Sequence, residues 1–131
     1  VLDNQTLFVG HSIGCQTILR YLEKQKHACG GAVFVAGWFT LQGLETEEEQ
    51  RIAEPWLTTP IDFEKVKNNL PKSFAIFSDN DPFVPLSDKE IFRVKFNSHI
   101  IVEHNKGHFT QGDGLTQSPI ILNAFFKLVD F

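Results

Sequence analysis

Thr6-Leu7-Phe8-Val9-Gly10-His11-Ser12-Ile13-Gly14 is the stretch on which the reading of this chain turns. Residues 6–9 form a short apolar run, the pattern of a strand buried on both faces in a parallel sheet. It stops at Gly10. From Ile13 onward Ile18, Leu19 and Leu22 recur at helical spacing, while Gln16, Arg20, Glu23 and Lys24 fill the polar gaps. A helix is predicted to about Lys26, ahead of Gly30-Gly31. Ala32-Val33-Phe34-Val35-Ala36 then repeats the buried-strand pattern. Strand, Gly-containing turn, amphipathic helix and strand make one unit of a parallel α/β sheet.

Outward from that unit the alternation continues. Ile61 to Leu70 carries a candidate N-cap, Asp62, with Phe63, Val66 and Leu70 apolar, so a short helix is expected. Ser73-Phe74-Ala75-Ile76-Phe77-Ser78 is the third strand and His99-Ile100-Ile101-Val102-Glu103 the fourth. Between them Ser87-Asp88-Lys89-Glu90 has capping-box spacing and opens a helix through about Lys95. Ser118-Pro119 supplies an N-cap with proline at the first helical position, and Ile121, Leu122, Phe125 and Leu128 mark one face of a terminal helix. Residues 38–60 break the rhythm. They hold Trp38, an acidic cluster (Glu45, Glu47, Glu48, Glu49), Trp56 and two prolines, and read as a loop excursion or lid with a solvated acidic face. The expected architecture is α/β: a mostly parallel sheet with helices on both faces, in a single domain spanning residues 1–131.

Composition narrows the partners. A length of 131 residues suits one domain, and 42% apolar residues suffice to build a core. Twelve basic against sixteen acidic side chains give a net charge of −4, so no phosphate-seeking patch and no nucleic-acid partner are expected. No apolar run approaches the ~20 residues of a membrane span. Cys15 and Cys29 are too few for a disulfide framework and lack zinc spacing, so no metal and no cofactor are expected; two unpaired thiols lean toward a reducing cytoplasm. The chain contains no Met and opens Val1-Leu2-Asp3. A translated product begins with Met, so further sequence upstream is expected. Missing targeting signals therefore decide nothing.

In open parallel sheets the loops at the carboxyl ends of strands carry the chemistry. After the first strand stands Gly10-His11-Ser12-Ile13-Gly14, the G-x-S-x-G of a nucleophile elbow, which places a serine on a tight turn with its Oγ exposed. The flanking glycines are expected to let helix and strand approach. Such a serine needs a histidine base, and the histidine needs a carboxylate to hold its tautomer. After the third strand Asp79-Asn80-Asp81-Pro82 offers two carboxylates. Asp81 is preferred because Pro82 fixes the following turn, whereas Asp79 reads as a turn-starting residue. After the fourth strand Gly107 lets the loop bend so that His108 can reach back toward Ser12, while His104 merely continues the strand. His11, His27 and His99 read as structural or surface, with His11 also a candidate substrate contact beside the serine. Each residue alone has an ordinary explanation as a turn former or surface group. The order Ser, Asp, His at three suitable strand ends is what selects the chemical one.

Together these motifs resemble an α/β-hydrolase, and more narrowly the small serine hydrolases of the retinoblastoma-binding-protein-nine type. The resemblance is carried by Gly10 to Gly14, by Trp56 with Phe63-Glu64-Lys65-Val66-Lys67, by Asp79 to Pro85, and by Gly107-His108-Phe109. It implies Ser12 as nucleophile, Asp81 as orienting acid and His108 as base. Members of that family begin with a further strand and a Gly-rich loop that donates one oxyanion N–H; the other donor is the backbone N–H of Ile13. The L-x-C-x-E pattern for the namesake partner is absent, so that partner is not expected.

The function expected is hydrolysis of a small ester, thioester or amide through an acyl-enzyme, with Trp38, Trp56, Phe83 and Phe109 as candidate linings of an apolar acyl pocket. For each of these aromatics the plain alternative is core or loop anchoring. The competing function is a hydrolase-fold binding module without turnover. Phosphate binding at Gly10 to Gly14, on a flavodoxin-like plan, lacks both the P-loop lysine and the G-x-G-x-x-G spacing. A final expectation concerns association: an unpaired apolar strand at residues 6–9 would invite self-association.

Overall fold

The computed structural model describes residues 2–115 and 117–129. Four strands, β1 (Leu7–His11), β2 (Gly31–Val35), β3 (Ser73–Ser78) and β4 (His99–Glu103), form one parallel sheet in the order β1-β2-β3-β4. Register is continuous across it: Val9 pairs with Val33, Phe34 with Ala75, and Ile76 with Ile101. The described helices are α1 (Ile13–Glu23), α2 (Glu47–Thr58), α3 (Phe63–Asn69), α4 (Lys89–Phe96) and α5 (Pro119–Val129).

Sequential strand order with right-handed crossovers sends every crossover helix to the same face. Accordingly α1, α3 and α4 pack side by side. The other face is left to α5, which packs on β2 and β3. Alternation along β2 confirms the division. The Phe34 ring meets Phe92 of α4 at 5.2 Å between centroids, whereas a Cβ on Gly31, three residues earlier, would touch Leu128 of α5. The core is therefore two-sided at β2, all of whose residues are buried. Phe34, Phe77 and Phe92 are fully buried there, each worth roughly 1.5–3 kcal/mol of transfer free energy.

Several local expectations are corrected. Residues 6–9 have the apolar pattern of a strand buried on both faces, but β1 lies at the sheet edge, the unpaired position also expected for it, and Val9 is 53% exposed. Phe8 is covered by Tyr21 of α1, while Val9 projects to the other face, where α5 covers β2 and β3 instead. The segment 38–60 is not a bare loop, since α2 occupies its second half. Thr46 caps that helix by accepting the Glu49 N–H, and Glu47, Glu48 and Glu49 sit in its first turn, where the helix dipole favours acid. Pro55 lies within the helix and does not end it.

The Ser87 capping box does not form. A 3₁₀ turn covers Leu86–Asp88, α4 begins at Lys89, and the Asp88 carboxylate turns away to accept from Phe39 N–H, Thr40 N–H and the Thr40 hydroxyl. Ala36 ends β2 in the left-handed region (φ 51°) and α1 stops at Glu23. In α5, Ser118 accepts the Ile121 N–H as expected, but Ala124 and Leu128 are the buried positions and Leu122 is exposed. No helix among the described residues is long and apolar enough to cross a membrane.

Candidate active site

Ser12 occupies the junction between β1 and α1 with φ 57° and ψ −119°, a positive φ uncommon for a residue bearing a side chain. That geometry lifts Oγ off the sheet edge. Gly10 makes the junction possible: a Cβ there would stand 2.6 Å from Ile18 Cδ1 and 3.1 Å from the Cys15 nitrogen. Gly14 has no such need, because a Cβ on it would meet nothing within 4 Å. The expectation of two sterically required glycines therefore holds at Gly10 and not at Gly14. Ile13 is the first residue of α1, so its N–H is among the leading donors that have no acceptor within the helix.

His108 Nε2 lies 2.9 Å from Ser12 Oγ, and His108 Nδ1 lies 2.8 Å from Asp81 Oδ2. The Asp81 side chain is 2% exposed and the His108 side chain 13%. The carboxylate is also anchored at its second oxygen, which accepts from Phe83 N–H at 2.9 Å and Val84 N–H at 3.1 Å. With both oxygens held, the carboxylate has one orientation, and it faces the imidazole. Asp79 and His104, the competitors, form a separate exposed pair at 2.7 Å. The His104 contact holds the Asp79 carboxyl below its ordinary value, helped by the Asn105 N–H.

The loops after β3 and β4 are laced together by side chains that the sequence reading passed over. Ser78 Oγ accepts from Lys106 N–H, and Asn80 Oδ1 accepts from both Gly107 N–H and Ser78 Oγ. On the far side Asp113 accepts from His108 N–H and the Thr110 hydroxyl, and these donors hold its carboxyl below the ordinary value. Thr110 and Asp113 have the S/T-x-x-acid spacing of a cap, the one signal in the sequence that marks them.

The other expected contacts are dispersed. Trp38 is buried and its indole N–H points to Ser12 Oγ at 3.2 Å. Phe83 stands edge-on to the His108 ring at 5.4 Å. His11 Nε2 donates to the His108 carbonyl at 2.7 Å, and its ring lies 5.1 Å from that of His108. His11 and Phe109 line a cavity of about 290 Å³ together with Val9, Val35 and Ile121. Trp56 is placed elsewhere, in a cavity of about 150 Å³ with Gln16, Phe39 and Phe63, under the Arg20 guanidinium. A broad concavity of about 770 Å³ between the end of α1 and α3 includes none of these residues. Among the described residues no cluster of three or more His, Cys, Asp or Glu is placed to hold a metal.

Comparison with known proteins bears on the family and the fold. The family model described as serine hydrolase matches residues 1–127. YdeN of Bacillus subtilis (strain 168), which carries a hydrolase name, is 27% identical over 96% of this chain and 66% of its own length. The serine hydrolase RBBP9 of Rattus norvegicus is 27% identical over 82% of this chain and 54% of its own length. The chain thus spans just under two thirds of the first relative and about half of the second. The crystal structure of the Bacillus subtilis ydeN product superposes with a TM-score of 0.86 at 25% identity, covering 99% of this chain and 68% of that one. A YdeN-like structure from Pectobacterium atrosepticum gives 0.59 at 15% identity over 94% of this chain and 57% of that one, a likeness of fold.

Proposed function

The chain belongs to the serine hydrolase family, and from that membership we propose that it cleaves a small ester, thioester or amide through an acyl-enzyme on Ser12. The observation that carries the reading is the unbroken line of contacts from Asp81 Oδ2 to His108 Nδ1 and from His108 Nε2 to Ser12 Oγ, at 2.8 and 2.9 Å. A carboxylate only accepts, so Nδ1 carries the proton and Nε2 is left to accept the serine proton.

In acylation, Oγ bonds to the acyl carbon while its proton passes to Nε2. The carbonyl electrons move onto oxygen, to which the Ile13 N–H at the head of α1 would donate. Collapse expels the leaving group with the proton from Nε2. Water then repeats the sequence: it gives a proton to Nε2, bonds to the acyl carbon, and Oγ departs with that proton. Asp81 keeps its charge throughout and offsets the imidazolium. Phe83, edge-on to the His108 ring at 5.4 Å, gives the base an apolar neighbour against which an acyl chain could rest.

The test is covalent labelling by a fluorophosphonate probe, read by mass spectrometry. The expected result is one adduct on Ser12, lost in Ser12→Ala. A folded chain that takes no label would remove the hydrolytic reading and leave a hydrolase-fold binding module.

A further inference from the structure

We propose that Trp38 is a further catalytic residue, its indole N–H donating to Ser12 Oγ and stabilising the negative charge that gathers on that oxygen during reaction. This inference rests on the hydrolytic reading of the same site. An indole nitrogen is a donor only, so across the 3.2 Å contact Ser12 Oγ must accept. The hydroxyl proton is committed to His108 Nε2 at 2.9 Å. Of the two lone pairs on Oγ, one then faces the indole and the other remains for attack.

The indole is held in that position by α1, the helix that also begins beside the serine. Gln16 Nε2 donates to the Trp38 carbonyl at 2.8 Å. Gln16 Oε1 accepts from Arg20 Nε at 3.0 Å, and Arg20 Nη2 donates to the carbonyls of Trp56 and Thr59. Gln16 and Arg20 stand one helical turn apart, so a single face of α1 ties down the loop that carries Trp38. Trp38 is 3% exposed, which keeps water from competing for its N–H.

The energetic consequence follows the charge. When the proton leaves for His108, Oγ gains negative character, and a hydrogen bond to a charged acceptor is roughly twice as strong as one to a neutral group. Once Oγ is an ester oxygen in the acyl-enzyme, it is a poorer acceptor and the bond weakens. When Oγ is expelled by water, the bond strengthens again. The indole keeps its own proton in every step. An interaction that is stronger as charge develops than in the resting or acylated states lowers both barriers.

The experiment is the second-order rate of fluorophosphonate labelling for the unaltered chain, Trp38→Phe, and a chain with β-(3-benzothienyl)alanine at position 38, which keeps the bicyclic shape without the N–H. Thermal melts accompany each variant. Losing a donor to a charged acceptor predicts that both variants label about 10–100-fold more slowly. If the benzothienyl variant labels within twofold of the unaltered chain, shape alone matters and the inference is overturned, however slow Trp38→Phe is. If Trp38→Phe retains the full rate, it is overturned as well. Failure of the unaltered chain to label, in contrast, strikes the hydrolytic reading and takes this role with it.

Discussion

The carboxylate of Asp113 occupies the space that a Cβ on Gly107 would need, its Cγ and Oδ1 both 2.5 Å from that position. Gly107 also has φ +56°, in the left-handed region where a side chain is strained. The pair places His108: Gly107 turns the loop, and Asp113 passes beneath it to accept the His108 N–H at 2.9 Å. Gly107→Ala should therefore act twice. The backbone strain costs about 1 kcal/mol, and the methyl group pushes the carboxylate away from its donors. The expected result is a melting temperature lower by several degrees, with turnover of a p-nitrophenyl ester down by ~10-fold or more as the imidazole is misplaced. Unchanged turnover in a destabilised variant would detach the loop bend from the placement of His108.

Asp113 itself predicts a pH dependence. The Thr110 hydroxyl, then the His108 N–H, holds its carboxyl below the ordinary aspartate value. A carboxyl depressed in the folded state stabilises the fold above its unfolded value, and that contribution is lost as pH falls through the lower folded value. The affected window is therefore acidic, from about 4 downward. Asp79, held down by His104, and Glu90, held down by Arg93, act in the same direction. Asp113→Asn should melt lower at pH 7 and lose less of its stability between pH 5 and 2. Parallel melting curves for the two proteins across that range would contradict the assignment.

How much of this was legible beforehand depends on how local the determining interactions are. Ser12, Asp81 and His108 could be read because each sits at the end of an apolar run with a turn former beside it. Strands and turns are short-range patterns. The choice of Asp81 over Asp79 followed from Pro82, and the Phe83 and Val84 N–H groups that anchor Asp81 Oδ1 come from that same turn.

What escaped depended on distant partners or on competition between two local signals. Ser87 and Glu90 have the spacing of a cap, yet Asp88 between them is drawn to Phe39 and Thr40, nearly fifty residues away, and the box does not form. Thr46 and Glu49 have the same spacing, and Thr46 does cap α2, but two prolines and two tryptophans made that segment read as a loop. Asn80 and Asp113 carried no catalytic pattern, because their work is to hold backbone N–H groups of a loop that only the fold brings near.

Asp81→Asn tests the orienting role without removing volume. An amide at position 81 can donate to Nδ1, which shifts the histidine proton to Nε2 and leaves no acceptor for the serine proton. The wrong tautomer costs about 10⁴ in turnover where this has been the only defect. The same size of loss is expected here, with KM little changed and the fold intact, since an Asn oxygen can still accept from Phe83 and Val84. A loss smaller than tenfold would mean that His108 does not depend on Asp81 for its tautomer.

Cys15 supplies a prediction on the alkaline side. Its thiol is fully buried beside the elbow and donates to the carbonyls of Gly10 at 3.3 Å and Val35 at 3.5 Å. Burial pushes its pKa from 9.0 up to about 12, the nearby backbone only partly opposing. A group whose folded value is raised gives its full stabilisation below the unfolded value. As pH climbs from about 9 toward 12 the unfolded chain sheds the proton first, and that stability is lost. Cys15→Ala lacks this slope, so its deficit relative to the unaltered chain should shrink over that interval. The neutral, enclosed thiol should also resist iodoacetamide in the folded chain at pH 8 and react only on unfolding. Rapid native-state alkylation at Cys15 would show that the packing between β1 and α1, on which the position of Ser12 depends, opens readily.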